Sequence, residues 1–185
     1  MRYFLSLLIL GFSLILPSAH ASDSAWPLLQ EGGKIVFIRH AYAPGGGDPS
    51  NFSIDDCSTQ RNLNQQGIDQ SLSMGEDFRK YEIPIQQVYS SQWCRCKDTA
   101  SYAFGNYQEL SALNSTFEGK YRQNHQQQMR ELKELIADWD NSEGNLILVT
   151  HYVIIGGMLG YYPSSGELVI TDKNLEVLDS IKTNY

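Results

Sequence analysis

Apolar residues along this chain fall into two kinds of run. Short, continuous, largely β-branched ones occur at Ile35-Val-Phe-Ile38 and Leu146-Ile-Leu-Val149, and each leads directly to a histidine, His40 behind Arg39 and His151 behind Thr150. Such runs read as parallel strands buried on both faces, and in open α/β sheets ligands gather beyond the carboxyl ends of the strands. Two histidine-tipped strands therefore predict a single site containing both histidines.

Other runs repeat at helical spacing. Residues 64–81 predict a helix with Ile68, Leu72, Gly75 and Phe78 on one face, and a later helix ends near residue 138 with Met129, Leu132, Leu135, Ile136 and Trp139 as its stripe. The first strand covers residues 34–38, and a loop rich in Gly, Pro and Asp follows over 42–60. A second strand, 87–90, leads into a helix over 92–103, and an irregular stretch spans 110–122. The strand at 145–150 precedes a glycine-containing helix that starts near 153. Segments 167–171 and 175–181 flank Asp172-Lys173-Asn174 as an edge hairpin. The Gln- and Asn-rich residues 123–128 read as a solvated helix start. This alternation predicts the α/β class: a three-layer α/β/α sandwich on a mainly parallel central sheet.

The first 21 residues stand apart from that pattern. Arg2 gives a short positive segment, residues 4–16 an apolar one, and Ala19-His20-Ala21 an A-x-A cleavage signal, the sequence of a secretory leader cut after Ala21. The apolar run is shorter than the roughly 20 residues a spanning helix needs, which disfavours an uncleaved membrane anchor. Losing Arg2 moves the formal charge from −7 to −8. An acidic mature chain with no basic run argues against nucleic acid or anionic membrane as partner. Residues 22–185 are enough for one domain and few for two. The expected location is periplasmic or secreted.

Export changes the reading of the cysteines. Cys57, Cys94 and Cys96 enter an oxidising compartment, where a disulfide is expected to take two of them and leave one thiol over. Their spacing fits no zinc pattern.

Four motifs follow one another in order: Arg39-His40-Ala41 after a strand, Arg61-Asn-Leu-Asn-Gln-Gln-Gly67 with Gln70, Val88-Tyr-Ser-Ser91 with Arg95 and Thr99-Ala100, and Val149-Thr-His151. Together they resemble the histidine phosphatase (phosphoglycerate-mutase-like) superfamily over nearly the whole mature chain. Asp56-Cys57-Ser-Thr-Gln-Arg61, Trp93-Cys94-Arg95 and Leu113-Asn114-Ser115 are similar to a small secreted branch that includes lipopolysaccharide core heptose phosphate phosphatases.

The resemblance implies that His40 is the nucleophile, forming a phosphohistidine, that Arg39 and Arg95 clamp the phosphate, and that His151 completes the pocket. It implies no cofactor and no metal. Phosphoryl transfer rests on positioning and preorganised positive charge, which planar guanidiniums supply bidentately. An attacking histidine must be neutral at the attacking nitrogen. Arg61 is expected either to line the site or to tie the long loop to Asp55 or Asp56. A Cys57–Cys94 disulfide would pin that loop to the clamp, with Cys96 as the free thiol pointing elsewhere. His125 reads as a surface residue; Tyr42, Tyr161 and Tyr162 are candidates for a pocket mouth, with core or surface as their default.

Two positions depart from the family pattern. Ala41 replaces the usual glycine after the histidine, and Ser115 stands where mutase-like members carry a proton-donating glutamate after Leu-Asn. Glu118 is the chosen substitute donor, with Asp55 and Asp56 next. The expected function is a metal-independent phosphomonoesterase acting on a small phosphorylated substrate, a sugar phosphate or an envelope component such as the lipopolysaccharide core. Export and the missing glutamate speak against a mutase. The alternative is a non-catalytic phosphate or phosphosugar binding protein.

Overall fold

The computed structural model describes residues 25–117 and 119–183. The expected leader, residues 1–21, and the expected proton donor Glu118 lie outside the described residues. Six strands form one sheet: β1 (Ile35–Arg39), β2 (Ile85–Ser90), β3 (Gln108–Glu109), β4 (Asn145–Thr150), β5 (Leu168–Thr171) and β6 (Val177–Ile181). Their spatial order is β3-β2-β4-β1-β5-β6. The helices are α1 (Trp26–Gln30), α2 (Gln65–Lys80), α3 (Cys94–Phe104), α4 (His125–Asp138) and α5 (Tyr152–Leu159).

The two apolar runs are neighbours. β1 pairs with β4 in parallel from Ile35 opposite Leu146 to Arg39 opposite Thr150, and β4 pairs in parallel with β2 on its other side. β5 and β6 form the expected edge hairpin, with β5 antiparallel to both β1 and β6. All six residues of β4 and the first four of β1 are buried, as expected of strands covered on both faces.

The strand period of two divides these side chains between two cores. Val36, Ile38, Ile147, Val149, Leu168 and Ile170 meet the helical layer of α1, α2 and α3 through Leu29, Met74, Phe78 and Ala100. Ile35, Phe37, Leu146, Leu148 and Val169 meet Leu132, Ile136, Ile154 and Ile155 of α4 and α5. The predicted three-layer sandwich is the observed one.

The apolar faces differ from the expected ones in α2 and α4. Residues 67, 70, 71, 74, 75 and 78 are the buried face of α2, whereas Leu72 is 42% exposed and Ile68 half-buried. Gln70 and Ser71 are polar yet buried, which hid this face from a reading based on hydrophobicity. Gln70 earns its place by hydrogen bonding: its Oε1 accepts from Tyr42 N at 2.9 Å and its Nε2 donates to Ser165 O at 2.9 Å. Nor is the 123–128 segment simply solvated. Gln128 is buried, and its amide donates to the carbonyls of Ser111, Ala112 and Asn114 at 2.8–3.1 Å.

Gly75 lets α2 lie against α3, since a Cβ there would collide with the Ala103 carbonyl. Gly75→Ala is expected to destabilise the fold by about 1–3 kcal/mol through overpacking, whereas exposed Leu72→Ala is expected to stay within about 0.5 kcal/mol of wild type. Urea midpoints at unchanged slope measure both. The reverse order would restore the face expected from hydrophobicity.

Candidate active site

The sheet order places three loop ends side by side. β1 runs out into His40, β2 into Ser91 and β4 into His151. The backbone continues to hold them together, with His40 N donating to Thr150 O and Ser91 N to Val149 O, both at 2.9 Å. The two imidazoles are both 2% exposed, with ring centroids 5.4 Å apart. Helix α5 begins immediately after His151, its capping residue, so its positive end faces the same place.

Hydrogen bonding assigns each proton. His40 Nδ1 lies 2.8 Å from Ala41 O, which can only accept, so Nδ1 carries the hydrogen and Nε2 the lone pair. Burial, aided by the charges of Arg95, Arg61 and Arg39, holds the ring pKa well below 6.5. His40 is therefore neutral. Behind His151, Asn114 Oδ1 accepts from Gln92 N at 2.8 Å and from Ser91 Oγ at 3.1 Å. With its own proton spent there, Ser91 Oγ accepts from His151 Nε2 at 3.0 Å. Burial, and next the Arg95 charge, keep His151 neutral as well. Asn114 of the Leu-Asn motif thus orients His151 through Ser91, a relay that motif spacing gave no means of seeing.

Three guanidiniums surround the histidines. Arg39 lies with its Cζ 5.2 Å from the centroid of the Tyr152 ring and donates from Nη1 to Pro163 O at 2.9 Å. Arg61 Nε donates to Gly47 O at 2.9 Å and Nη1 to Ala43 O at 2.6 Å. Arg61 both lines the cavity and ties the loop, but to those carbonyls and not to Asp55 or Asp56, which are exposed. Arg95 is 3% exposed and forms a two-pronged ion pair with Asp48, Nη1 to Oδ1 at 2.8 Å and Nη2 to Oδ2 at 3.2 Å. Its second Nη1 hydrogen goes to Arg61 O at 3.2 Å. That leaves the other edge of the fork, where buried Nε has no acceptor among the described residues.

Asp48 was not anticipated from the sequence. It lies among glycines in a loop without periodicity, and only the fold brings it to Arg95. Burial raises its pKa, but the hydrogen bond and charge of Arg95 outweigh this and lower it overall. Trp93 Nε1 donates to Oδ2 at 3.0 Å and Arg61 N to Oδ1 at 3.1 Å.

The disulfide joins Cys57 to Cys94, as expected, and fixes the loop to the start of α3. Cys96 is free, but it does not point away from the site: its Sγ lies 3.4 Å from His151 Nε2. Burial pushes its thiol up to about 12, which leaves it an unreactive buried neighbour of His151. His125 is half-buried, not on the surface, and its Nδ1 pairs with Thr116 Oγ1 at 2.8 Å. Tyr42, Tyr161 and Tyr162 are not among the cavity residues.

These residues line a cavity of about 640 Å³, with His40, His151 and the arginines within and Phe52, Trp93, Phe117, Tyr121 and Tyr152 around them. Ser115 forms part of the wall at the position of the motif glutamate. The arrangement can seat a tetrahedral oxyanion against cationic donors beside an unprotonated imidazole nitrogen.

The model of the histidine phosphatase superfamily (branch 1) matches residues 35–147, more than half of the chain. No curated protein sequence matches it. Among solved structures, the chain is similar to the protein histidine phosphatase SixA complexed with tungstate, at 12% identity and a TM-score of 0.51, covering 82% of this chain and 94% of that one. It is also similar to a putative phosphohistidine phosphatase SixA from Agrobacterium tumefaciens, at 15% identity and a TM-score of 0.54, over 82% and 99%. A phosphoserine phosphatase from Entamoeba histolytica in complex with 3-phosphoglyceric acid gives 13% and 0.58, over 82% and 96%. At these identities the likeness shows the shared fold.

Neutral buried histidines make stability depend on pH. Both folded pKa values lie below 6.5, so under that pH the unfolded chain binds more protons and stability falls as pH falls. The slope is up to about 1.4 kcal/mol per pH unit for each histidine. Urea midpoints between about pH 7.5 and 5 are expected to show this loss, and His151→Gln to flatten it. A flat wild-type profile would mean that neither ring's pKa differs from that in the unfolded chain, and a rise in stability towards pH 5 that the rings are protonated in the fold.

Proposed function

Because the chain belongs to the histidine phosphatase superfamily, we propose that it is a phosphomonoesterase that works through a phosphohistidine on His40. One observation carries this reading: His40 donates Nδ1–H to Ala41 O and keeps an unprotonated Nε2 inside a pocket of guanidiniums. A binding protein needs the cations but has no use for a buried nucleophile held in that tautomer. The charge on the phosphoryl oxygens is met by Arg39, Arg61 and the open edge of Arg95, so the reaction needs no metal or cofactor.

In the proposed sequence, the phosphoryl group lies across the arginines with its ester oxygen opposite His40. Nε2 forms a bond to phosphorus as the P–O ester bond breaks. Water then attacks the phosphohistidine, the P–N bond breaks, and its electron pair returns to Nε2. Burial first and then the arginine charges hold His151 neutral, and a bound phosphoryl dianion offsets those charges. His151 Nδ1 then takes a proton and donates it to a phosphoryl oxygen in a hydrogen bond, while Asn114 and Ser91 hold the ring.

The substrate is a small phosphate ester, a sugar phosphate or a phosphorylated component of the lipopolysaccharide core. A cavity of about 640 Å³ is far larger than a phosphoryl group requires, and its size suits a small-molecule ligand. The aromatic side chains suit the C–H face of a sugar ring. The leader pattern and the Cys57–Cys94 disulfide support a periplasmic or secreted location.

His40→Ala is expected to abolish phosphate release from p-nitrophenyl phosphate and to remove the acid-labile phosphoryl label seen in wild type after rapid quenching. Equal activity in the two proteins would overturn the reading, and oxyanion binding without any label in wild type would favour the binding protein. Arg95→Ala is expected to lose about a hundredfold to a thousandfold in kcat/KM. Lysine, a point charge without the fork, should restore only part of it.

A further inference from the structure

Ser115 leaves the reaction without the motif's proton donor, and the replacements expected from sequence fare differently. Asp55 and Asp56 are exposed and absent from the cavity wall, while Glu118 lies outside the described residues. Asp48 is the carboxylate among the described residues that line the cavity. We propose that Asp48 is the proton donor to the leaving group and, in the second half of the reaction, the base that activates water. This assignment rests on the phosphatase reading above.

The position follows from in-line displacement. His40 lies within the cavity, so the leaving oxygen must point away from it, towards the opening through which the rest of the ester extends. Asp48 belongs to the run Gly45-Gly-Gly-Asp48-Pro49, all of which lines the same cavity as His40. Gly45 and Gly47, at φ 89° and 69°, permit a backbone path other residues would resist.

Arg95 links the carboxylate to the phosphoryl seat. A guanidinium has two edges suited to bidentate binding. Asp48 takes the end formed by Nη1 and Nη2, which leaves the side formed by Nε–H and the second Nη2–H. Arg95 can therefore hold the phosphoryl group without releasing Asp48, and the two anions lie on adjacent edges of one cation. Without substrate, Arg95 keeps Asp48 ionised. A phosphoryl dianion on the adjacent edge consumes the charge that had favoured the carboxylate and adds repulsion, so Asp48 takes up a proton from solvent on Oδ2 in place of the Trp93 Nε1 hydrogen bond while Arg95 stays paired.

The bookkeeping closes over both steps. His40 Nε2 bonds to phosphorus, the P–O bond breaks with its electron pair going to the ester oxygen, and the Asp48 proton joins that oxygen to release the alcohol. The Asp48 carboxylate next removes a proton from water as its oxygen bonds to phosphorus. The P–N bond then breaks, its electrons return to Nε2, and phosphate leaves with Asp48 protonated again.

The test compares a poor and a good leaving group in the same protein, because loss of Arg95 orientation slows both alike. Asp48→Asn is expected to lower kcat/KM for glycerol 2-phosphate by about a hundredfold to ten-thousandfold, the usual worth of a positioned acid. For p-nitrophenyl phosphate, which needs little protonation, the fall should be at least about tenfold smaller on that scale. With the base also gone, p-nitrophenol should appear as a burst of one equivalent per enzyme ahead of a slower steady state. Asp48→Glu, which keeps a carboxyl group, should hold the ratio of the two substrates near that of wild type.

Equal losses on both substrates would make Asp48 a positioning residue for Arg95 and overturn the proposal, as would no loss on either, or a ratio that moves with Glu118→Gln instead. Wild type supplies an independent measurement should Asp48→Asn fail to fold. Its kcat/KM should change little from 4-nitrophenyl to phenyl phosphate, and a steep decline along that series would mean that no donor operates. A wild type that releases no phosphate from any of these esters refutes the phosphatase reading itself, a result distinct from an active enzyme whose leaving-group ratio ignores Asp48.

Discussion

Parallel pairing of β1 with β4 is the constraint on which the site depends. Arg39 lies opposite Thr150, and His40 N extends the ladder to Thr150 O, so the next residue of each strand is a histidine at the same height. Side chains alternate along a strand, and a register slip of one residue would turn each set to the opposite face. With Ile35 and Phe37 committed to one core and Val36 and Ile38 to the other, such a slip is opposed by every buried residue of β1. The cores and the geometry of the candidate site are thus fixed by the same pairing.

Electrostatics impose the second constraint. Three guanidiniums near two buried imidazoles would be costly if the rings were charged as well, and burial and the arginines together keep them neutral. Arg95 is too buried to rely on water for its balance, and Asp48 provides the counter-charge. A buried charge stripped of its partner is strongly destabilising, so the pair must form before substrate arrives. Asp48 nevertheless occupies only one edge of the guanidinium. The site is neutralised enough to fold and still presents donors to an incoming oxyanion.

Much of this was legible in the sequence, for identifiable physical reasons. Buried strands must be apolar on both faces, so β1 and β4 announced themselves, and their terminal histidines marked the site. The expected Cys57–Cys94 pairing was the observed one, although both Cys94 and Cys96 flank Arg95 and the sequence alone did not separate them. What stayed hidden was polar burial. The inner face of α2 contains Gln70 and Ser71, and that of α4 contains Gln128; Gln70 and Gln128 satisfy backbone groups of distant loops, and Ser71 the Gly67 carbonyl one turn back in its own helix. Asp48 and the Ser91–Asn114 relay were hidden for the same reason: their roles depend on contacts 23 to 60 residues apart, which no local periodicity encodes.

The long loop after β1 shows how such contacts become rigid structure. A stretch with three consecutive glycines loses much conformational freedom on ordering, and a loosely held rim would place Asp48 too poorly to serve Arg95. Four attachments act against that freedom. Cys57 is bonded to Cys94, and Arg61 bonds the carbonyls of Ala43 and Gly47. Gln60 Nε2 donates to Ser53 O and Ile54 O while its Oε1 accepts from Cys94 N, and Phe52 stacks on Trp93 with ring centroids 5.1 Å apart. Three of the four end on the Trp93–Cys94 step at the start of α3, directly beside Arg95, and the fourth on the loop itself. The loop and Arg95 are therefore built as one unit. Preorganised donors act on a transition state because they need not reorganise as charge develops, and the loop's attachments hold Arg95 and Asp48 in the fixed geometry such a role requires.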